Sequence, residues 1–145
     1  MPADTLLDGK HPAPERDKAS LGSLSFSLAA PPIAWSIQSI AGYSFSSEAC
    51  YPGDTPRLLP LFSGLWGLLL TINGTALVIG VLGILIASRN WKVTRRETGG
   101  DLALLIEQGA GRTRFLAMCG LLVSVGFVVA TLFTSITIFL SPLCR

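Results

Sequence analysis

Charge is what this chain lacks. Only 14% of its 145 residues are Asp, Glu, Lys or Arg, and three long stretches, 19–47, 58–88 and 115–144, contain none. Histidine is nearly absent, with His11 alone; there are two methionines, Met1 and Met118, and three cysteines. Each shortage removes a class of function. Proton relays, ion sites and charged-substrate pockets inside a membrane need ionisable groups at depth, and the uncharged stretches offer none. Haem ligation within a bundle is disfavoured because the sole histidine lies near the N-terminus and neither methionine sits in a suitable pair. No Gly-x-Ser-x-Gly, His-Glu-x-x-His or phosphate-binding loop is present, so no enzyme is expected and no cofactor or metal is assigned. The net charge of +2 is small and scattered, which gives no footing for nucleic acid.

What remains is apolar. Half the residues are hydrophobic, and a helix needs roughly 20 of them to cross about 30 Å of hydrocarbon at 1.5 Å per residue. Each uncharged stretch exceeds that length. The expected fold is therefore an all-α membrane protein with three transmembrane helices over about 24–46, 60–88 and 115–140, joined on the inner side by a loop over 89–114. Residues 21–145 form one transmembrane domain behind a disordered tail over 1–20, whose mixture of Pro, Asp, Lys and Gly cannot repay the entropy of ordering.

Orientation follows from the basic residues. Lys10, Arg16 and Lys18 precede the first span, Arg57 lies between the first two, and Arg145 ends the chain. Arg89, Lys92, Arg95, Arg96, Arg112 and Arg114 lie between the second and third spans. Positive residues stay cytoplasmic, so the N-terminus is expected inside and the C-terminus outside. A bacterial inner membrane is the natural setting. Ser27-Leu28-Ala29-Ala30 ends a short apolar run, but the region before it is acidic overall rather than a positive leader, so no cleavage is expected there.

The first span contains Pro31-Pro32, each of which removes a backbone donor. Either a helix runs through and kinks at the prolines, with Ser36 or neighbouring side chains re-satisfying the freed carbonyls, or the helix starts there with proline in its first turn. The kinked helix is preferred, because a helix starting at Pro32 is short for a span.

The second span is dense in glycine: Gly64, Gly67, Gly74, Gly80 and Gly83. Small residues let membrane helices approach closely, and Ala76-xxx-Gly80 and Gly83-xxx-Ala87 fit a contact face. Asn73 needs a partner at this depth, and a hydrogen bond across the bundle is expected. The third span carries its own ladder of Ala117, Gly120 and Ser124, followed by Gly126 and Ala130. Its hydroxyls, Thr131, Thr134, Ser135 and Thr137, are expected to bond the preceding turn of their own helix. In the inner loop, 101–108 is a short apolar run between glycines that suits an interfacial helix.

With this topology Cys50 lies just outside the first span and Cys144 just beyond the third, on the same oxidising face. A disulfide between them is expected, contributing roughly 2 to 5 kcal/mol. The alternative use of the two sulfurs is copper(I) binding or thiol exchange, although no Cys-x-x-Cys, neighbouring His or Met cluster accompanies them. Cys119, inside the third span, reads as a small core residue.

The sequence of landmarks Pro32-x-x-Trp35, Tyr43, Cys50, then Arg114-Phe115-Leu116-Ala117 and a closing Pro142-Leu143-Cys144, resembles small bacterial three-span inner-membrane proteins encoded beside haem-copper terminal oxidase and oxidase-assembly genes. The resemblance covers about the last four-fifths of the chain. Members of that family end in Pro-Cys where this chain has Pro142-Leu143-Cys144. The family brings no assigned activity with it. The resemblance implies a noncatalytic protein whose partners are the lipid bilayer and a respiratory oxidase or its assembly machinery. An extracytoplasmic thiol- or copper-handling protein is the alternative.

Overall fold

The computed structural model describes residues 19–94, 112–140 and 144. Within them there are three long helices and no strand: α1 (Leu21–Cys50), α2 (Leu65–Thr94) and α3 (Arg112–Leu140). The tail over 1–18 and the inner loop over 95–111, with its expected interfacial helix at 101–108, lie outside the described residues. Each helix touches the other two.

Two of the three helices, α2 and α3, are long and apolar enough to cross a membrane. The 30-residue α1 is as long but falls short in apolarity, because it carries eight serines, two prolines, Gln38 and Glu48. Its start is set by a cap. Ser20 has extended backbone, and its hydroxyl oxygen accepts from the Ser23 amide at 3.1 Å. That satisfies one of the four orphan donors of a helix N-terminus. Ala19, which is buried, and Ser20, both counted with the expected tail, belong to this capped helix start. Of the two starts that the prolines leave open, the structure has the earlier one: the helix is continuous through Pro31 and Pro32.

The second helix begins at Leu65, five residues after the expected edge of its span. The chain from Tyr51 to Gly64 is instead folded back on the end of α1. A single 3₁₀ turn at Pro52–Asp54 reverses it, with Gly53 and Asp54 both left-handed at φ near 60°. Those are the residue types that tolerate this region. The Arg57 amide then donates to the Cys50 carbonyl at 2.9 Å and the Leu61 amide to the Ala49 carbonyl at 3.0 Å. Two carbonyls that the end of a helix leaves open are thereby satisfied.

The packing stripe of α2 is regular. Leu65, Leu69, Asn73, Ala76, Gly80, Gly83, Ala87, Asn90 and Thr94 are all buried, at steps of three and four residues that alternate from Asn73 onward and match left-handed helix packing. Ala117, Gly120, Ser124 and Thr131 are the buried counterpart on α3.

Only some glycines sit at close approaches. A Cβ at Gly80 would lie 2.6 Å from Val128 Cγ2; at Gly83, 2.8 Å from both Pro31 Cγ and Ser124 Oγ; and at Gly120, 2.6 Å from Ser27 Oγ. Gly64, Gly67, Gly74 and Gly126 meet nothing within 4 Å. Gly83→Ala and Gly120→Ala are each expected to cost about 1–3 kcal/mol by overpacking. Gly74→Ala and Gly126→Ala should instead be neutral or raise stability by up to about 1 kcal/mol through helix propensity. Thermal unfolding in mild detergent separates the two pairs, and equal effects at all four positions would contradict this packing.

Candidate functional site

The tightest layer of the bundle is built around a missing hydrogen bond. Pro31 has no amide hydrogen, so the carbonyl of Ser27, four residues earlier, loses its helical donor. Ser27 is fully buried, and water cannot replace that donor. Its carbonyl instead accepts from Ser124 Oγ of α3 at 2.9 Å. Gly120, one turn before Ser124, and Gly83 of α2 leave the space that lets these backbones meet. Of the two expected sources of a donor for the freed carbonyls, Ser36 or a neighbouring side chain, the second is the one found for Ser27, since the Ser36 hydroxyl donates to Pro32 O at 2.8 Å. A serine hydroxyl reaches back about one turn, so one placed after the prolines arrives C-terminal to the gap rather than at it.

Polar side chains join the other helix pairs. Asn90 Nδ2 on α2 donates to Ser23 Oγ on α1 at 3.0 Å, and that hydroxyl donates to the Ser20 carbonyl at 2.8 Å. Towards the other end, Asn73 Nδ2 donates to Ser135 Oγ on α3 at 2.9 Å. Ser135 in turn donates to the Thr131 carbonyl at 2.9 Å. Thr131, Thr134 and Thr137 likewise donate to the carbonyls of Phe127, Ala130 and Phe133, one turn back in α3. Trp35 stacks at a tilt on Phe127 with centroids 5.5 Å apart, and Trp66 meets Phe139 edge-on at 5.2 Å. Such aromatic pairs add about 0.5–1.5 kcal/mol beyond burial.

Cys50 and Cys144 are joined in a disulfide, with Cα atoms 5.2 Å apart and 94 residues of separation. The bond ties the end of α1 to the chain beyond α3. Ala49, next to Cys50 in the chain, forms a small apolar cluster with Leu65 and Leu69, against which Ile138 packs. Cys119 is a free, half-buried thiol. Among the described residues no group of three His, Cys, Asp or Glu side chains is placed to hold a metal ion.

Between the Ser27–Ser124 layer and the disulfide, the three helices line a partly open cavity of about 350 Å³. Gln38 of α1 and Asn73 of α2 both line it and are 4% and 3% exposed. Among the described residues Gln38 has no partner for either amide atom, and Asn73 has none for Oδ1. Trp35 Nε1, one turn before Gln38, is likewise buried without a partner among them.

The residues singled out in the sequence thus fall into three places. Gly83, Gly120 and Ser124 meet at the layer of the freed carbonyl; Ala76 and Gly80 lie on the same buried stripe of α2, Gly80 against Val128 of α3; Asn73 stands at the cavity. Sequence reasoning missed Ser27, Gln38 and Asn90. Asn90 follows Arg89 and was counted with the inner loop, and Gln38, an uncharged amide inside a span, carried the same signal that drew attention to Asn73. No protein-family model matches the chain, and neither a curated protein nor a solved structure matches it.

Ser124→Ala should cost about 1 kcal/mol or more, because it leaves the buried Ser27 carbonyl without a donor. In a Pro31→Ala background, where residue 31 regains its amide hydrogen, the same substitution should cost measurably less. A thermodynamic cycle with no coupling between the two sites would contradict this assignment. For the cysteines, alkylation of native membranes should label neither Cys50 nor Cys144 until a reductant is added; two freely labelled thiols would show that the pair is open.

Proposed function

We propose that the chain is a noncatalytic, three-span protein of the bacterial inner membrane, with its N-terminus cytoplasmic and its C-terminus outside, acting as an accessory or assembly partner of a respiratory terminal oxidase. The observation that carries the membrane reading is where the apolar surface points. In the most apolar stretches of α2 and α3 only 28% and 22% of the residues are buried. The core helix of a soluble protein with this composition would hide most of its surface. Here Val78, Leu82, Leu85, Leu122, Phe133 and Phe139 all face outward. Apolar surface on this scale needs lipid or a partner protein against it.

Orientation has two independent supports. The basic residues Arg89 and Lys92 gather at the end of α2, and the disulfide lies at the opposite end of the bundle, where α1 and α3 finish. Basic residues mark the cytoplasmic side and disulfides persist on the oxidising side. The two criteria point the same way, and they support reading α1 as a further span despite its serines.

The partner assignment rests on the resemblance to three-span proteins encoded with terminal oxidases, and on a bundle whose uncharged spans give chemistry few handles. The alternative, copper or thiol handling, would use Cys50 and Cys144. Their sulfurs are bonded to each other, so copper(I) capture would first require their two-electron reduction.

Purification of the tagged protein in mild detergent, with reduced-minus-oxidised haem spectra and identification of the accompanying chains, should yield stoichiometric oxidase. A clean haem-free preparation would sink that reading and favour the thiols. Fusions test the topology separately: a fluorescent protein at the N-terminus should fluoresce, and alkaline phosphatase at the C-terminus should be active.

A further inference from the structure

From the cavity between α1, α2 and α3 we infer a binding site for a neutral diol, a molecule or lipid headgroup that presents two hydroxyl groups together. The hydrogen-bond inventory leads there. Asn73 is oriented by its neighbours: the Ser135 hydroxyl spends its proton on the Thr131 carbonyl, so it can only accept from Asn73. The Asn73 Nδ2 group is therefore turned to Ser135, and Oδ1, an acceptor, is left without a partner beside the cavity. Gln38 adds a second acceptor, Oε1, and a donor, Nε2, both unpartnered at 4% exposure. Native structures rarely leave such groups unmatched, because an unpaired amide away from water costs a large part of its desolvation energy.

The missing counterpart must therefore donate twice and accept at least once. Two adjacent hydroxyls do that once the two amides, whose unpartnered atoms are closed off in the bundle, turn into the cavity: each O–H is given to one amide carbonyl and one oxygen receives the Gln38 amide hydrogen. Charge complementarity narrows the choice. The cavity wall contains no Asp, Glu, Lys, Arg or His, so a carboxylate, phosphate or ammonium would be desolvated without compensation. Shape narrows it again. Polar lining runs along α1 from Gln38 through Ser39 to Ser46, roughly 12 Å of helix at 1.5 Å per residue. Leu69 and Ile138 form an apolar wall opposite. At the rim Tyr43 is 78% exposed, so the cavity opens at the flank of α1. A diol with an apolar substituent fits both walls. Free glycerol offers the same hydroxyl chemistry without the apolar part.

The chain has only two glutamines, Gln38 and Gln108, and two asparagines, Asn73 and Asn90. The side-chain amides of the full-length protein, labelled with nitrogen-15 at Gln and Asn, therefore give a readable spectrum in lipid nanodiscs. Titration with 1-monooleoylglycerol should shift the Gln38 and Asn73 signals saturably while Asn90 and Gln108 stay in place. Glycerol producing the same shifts at comparable concentration would assign a free diol, and a preference of tenfold or more for monooleoylglycerol a lipid-borne one. Methyl oleate, which lacks the hydroxyls, should shift neither signal.

Two variants guard against a folding artefact. Gln38→Met removes the amide and should abolish the Asn73 shift. Gly42→Leu fills the cavity wall, where a Cβ meets only Leu69 Cδ2 at 4.0 Å, and should block binding with both amides intact. The inference is overturned if no diol gives a saturable shift, if methyl oleate matches monooleoylglycerol, if Gly42→Leu binds as the parent does, or if the amides exchange with ordered water alone.

Discussion

The architecture depends on one backbone carbonyl. Pro31 deprives Ser27 of its helical donor in the middle of the bundle, and everything near it is arranged around replacing that donor. A serine at position 124 can reach the carbonyl only if α3 comes to near backbone contact with α1, which requires Gly120 one turn earlier. The proline ring must also be housed, and Gly83 of α2 provides the room. Three helices are therefore brought to one level by a single unmet hydrogen bond. On the membrane reading this has more weight than it would in water, because no solvent is at hand to satisfy the exposed group.

The same logic distributes the remaining polar contacts. Among the described residues every pair of helices is joined by side-chain hydrogen bonding: Asn90 to Ser23 for α1 and α2, Ser124 to the Ser27 carbonyl for α1 and α3, and Asn73 to Ser135 for α2 and α3. They lie at different heights, so together they fix register as well as proximity. Individual bonds of this kind contribute only about 0.6 kcal/mol on average between membrane helices. Their value is in specificity, since a helix that slips by one turn loses its partner and leaves a buried polar atom behind. Bulk packing comes from the stripe of small residues, where close backbone approach lets many weak dispersion contacts accumulate.

How much of this could be read from the sequence depended on whether the signal was carried by side-chain type. The long apolar helices α2 and α3 were legible from the missing charges, and the pairing of Cys50 with Cys144 from their places at the ends of the first and third uncharged stretches. Gly80, Gly83 and Gly120 were legible as small residues at helical spacing. Gly126 was not separable from them, since facing inward or outward depends on the rotation of about 100° per residue and on where the neighbours lie. The Ser27 carbonyl was illegible for a deeper reason: every residue has a carbonyl, and only the fold decides which one lacks a donor. Gln38 was overlooked because an isolated amide in a serine-rich helix has no periodic signature, although the physical argument applied to Asn73 applied equally to it.

The cavity follows from the spacing of these restraints along α1. The helix is fixed near its start by Ser23, in its middle by the Ser27 carbonyl and Pro31, and at its end by Cys50. Between Pro31 and Cys50 no described hydrogen bond joins it to another helix; Trp35 meets Phe127 and beyond that the contacts loosen, with Gly42 reaching only Leu69 at 4.0 Å. Gln38 falls in that interval. Filling it with an apolar side chain would have been the ordinary way to stabilise the bundle, since buried amides without partners cost more than well-packed hydrocarbon gains them. A disulfide that closes the far end holds α1 in place without requiring those contacts. The cross-link thus permits a polar, incompletely packed space in the bundle, and a bundle lacking the bond would have reason to collapse around Gln38 and Asn73.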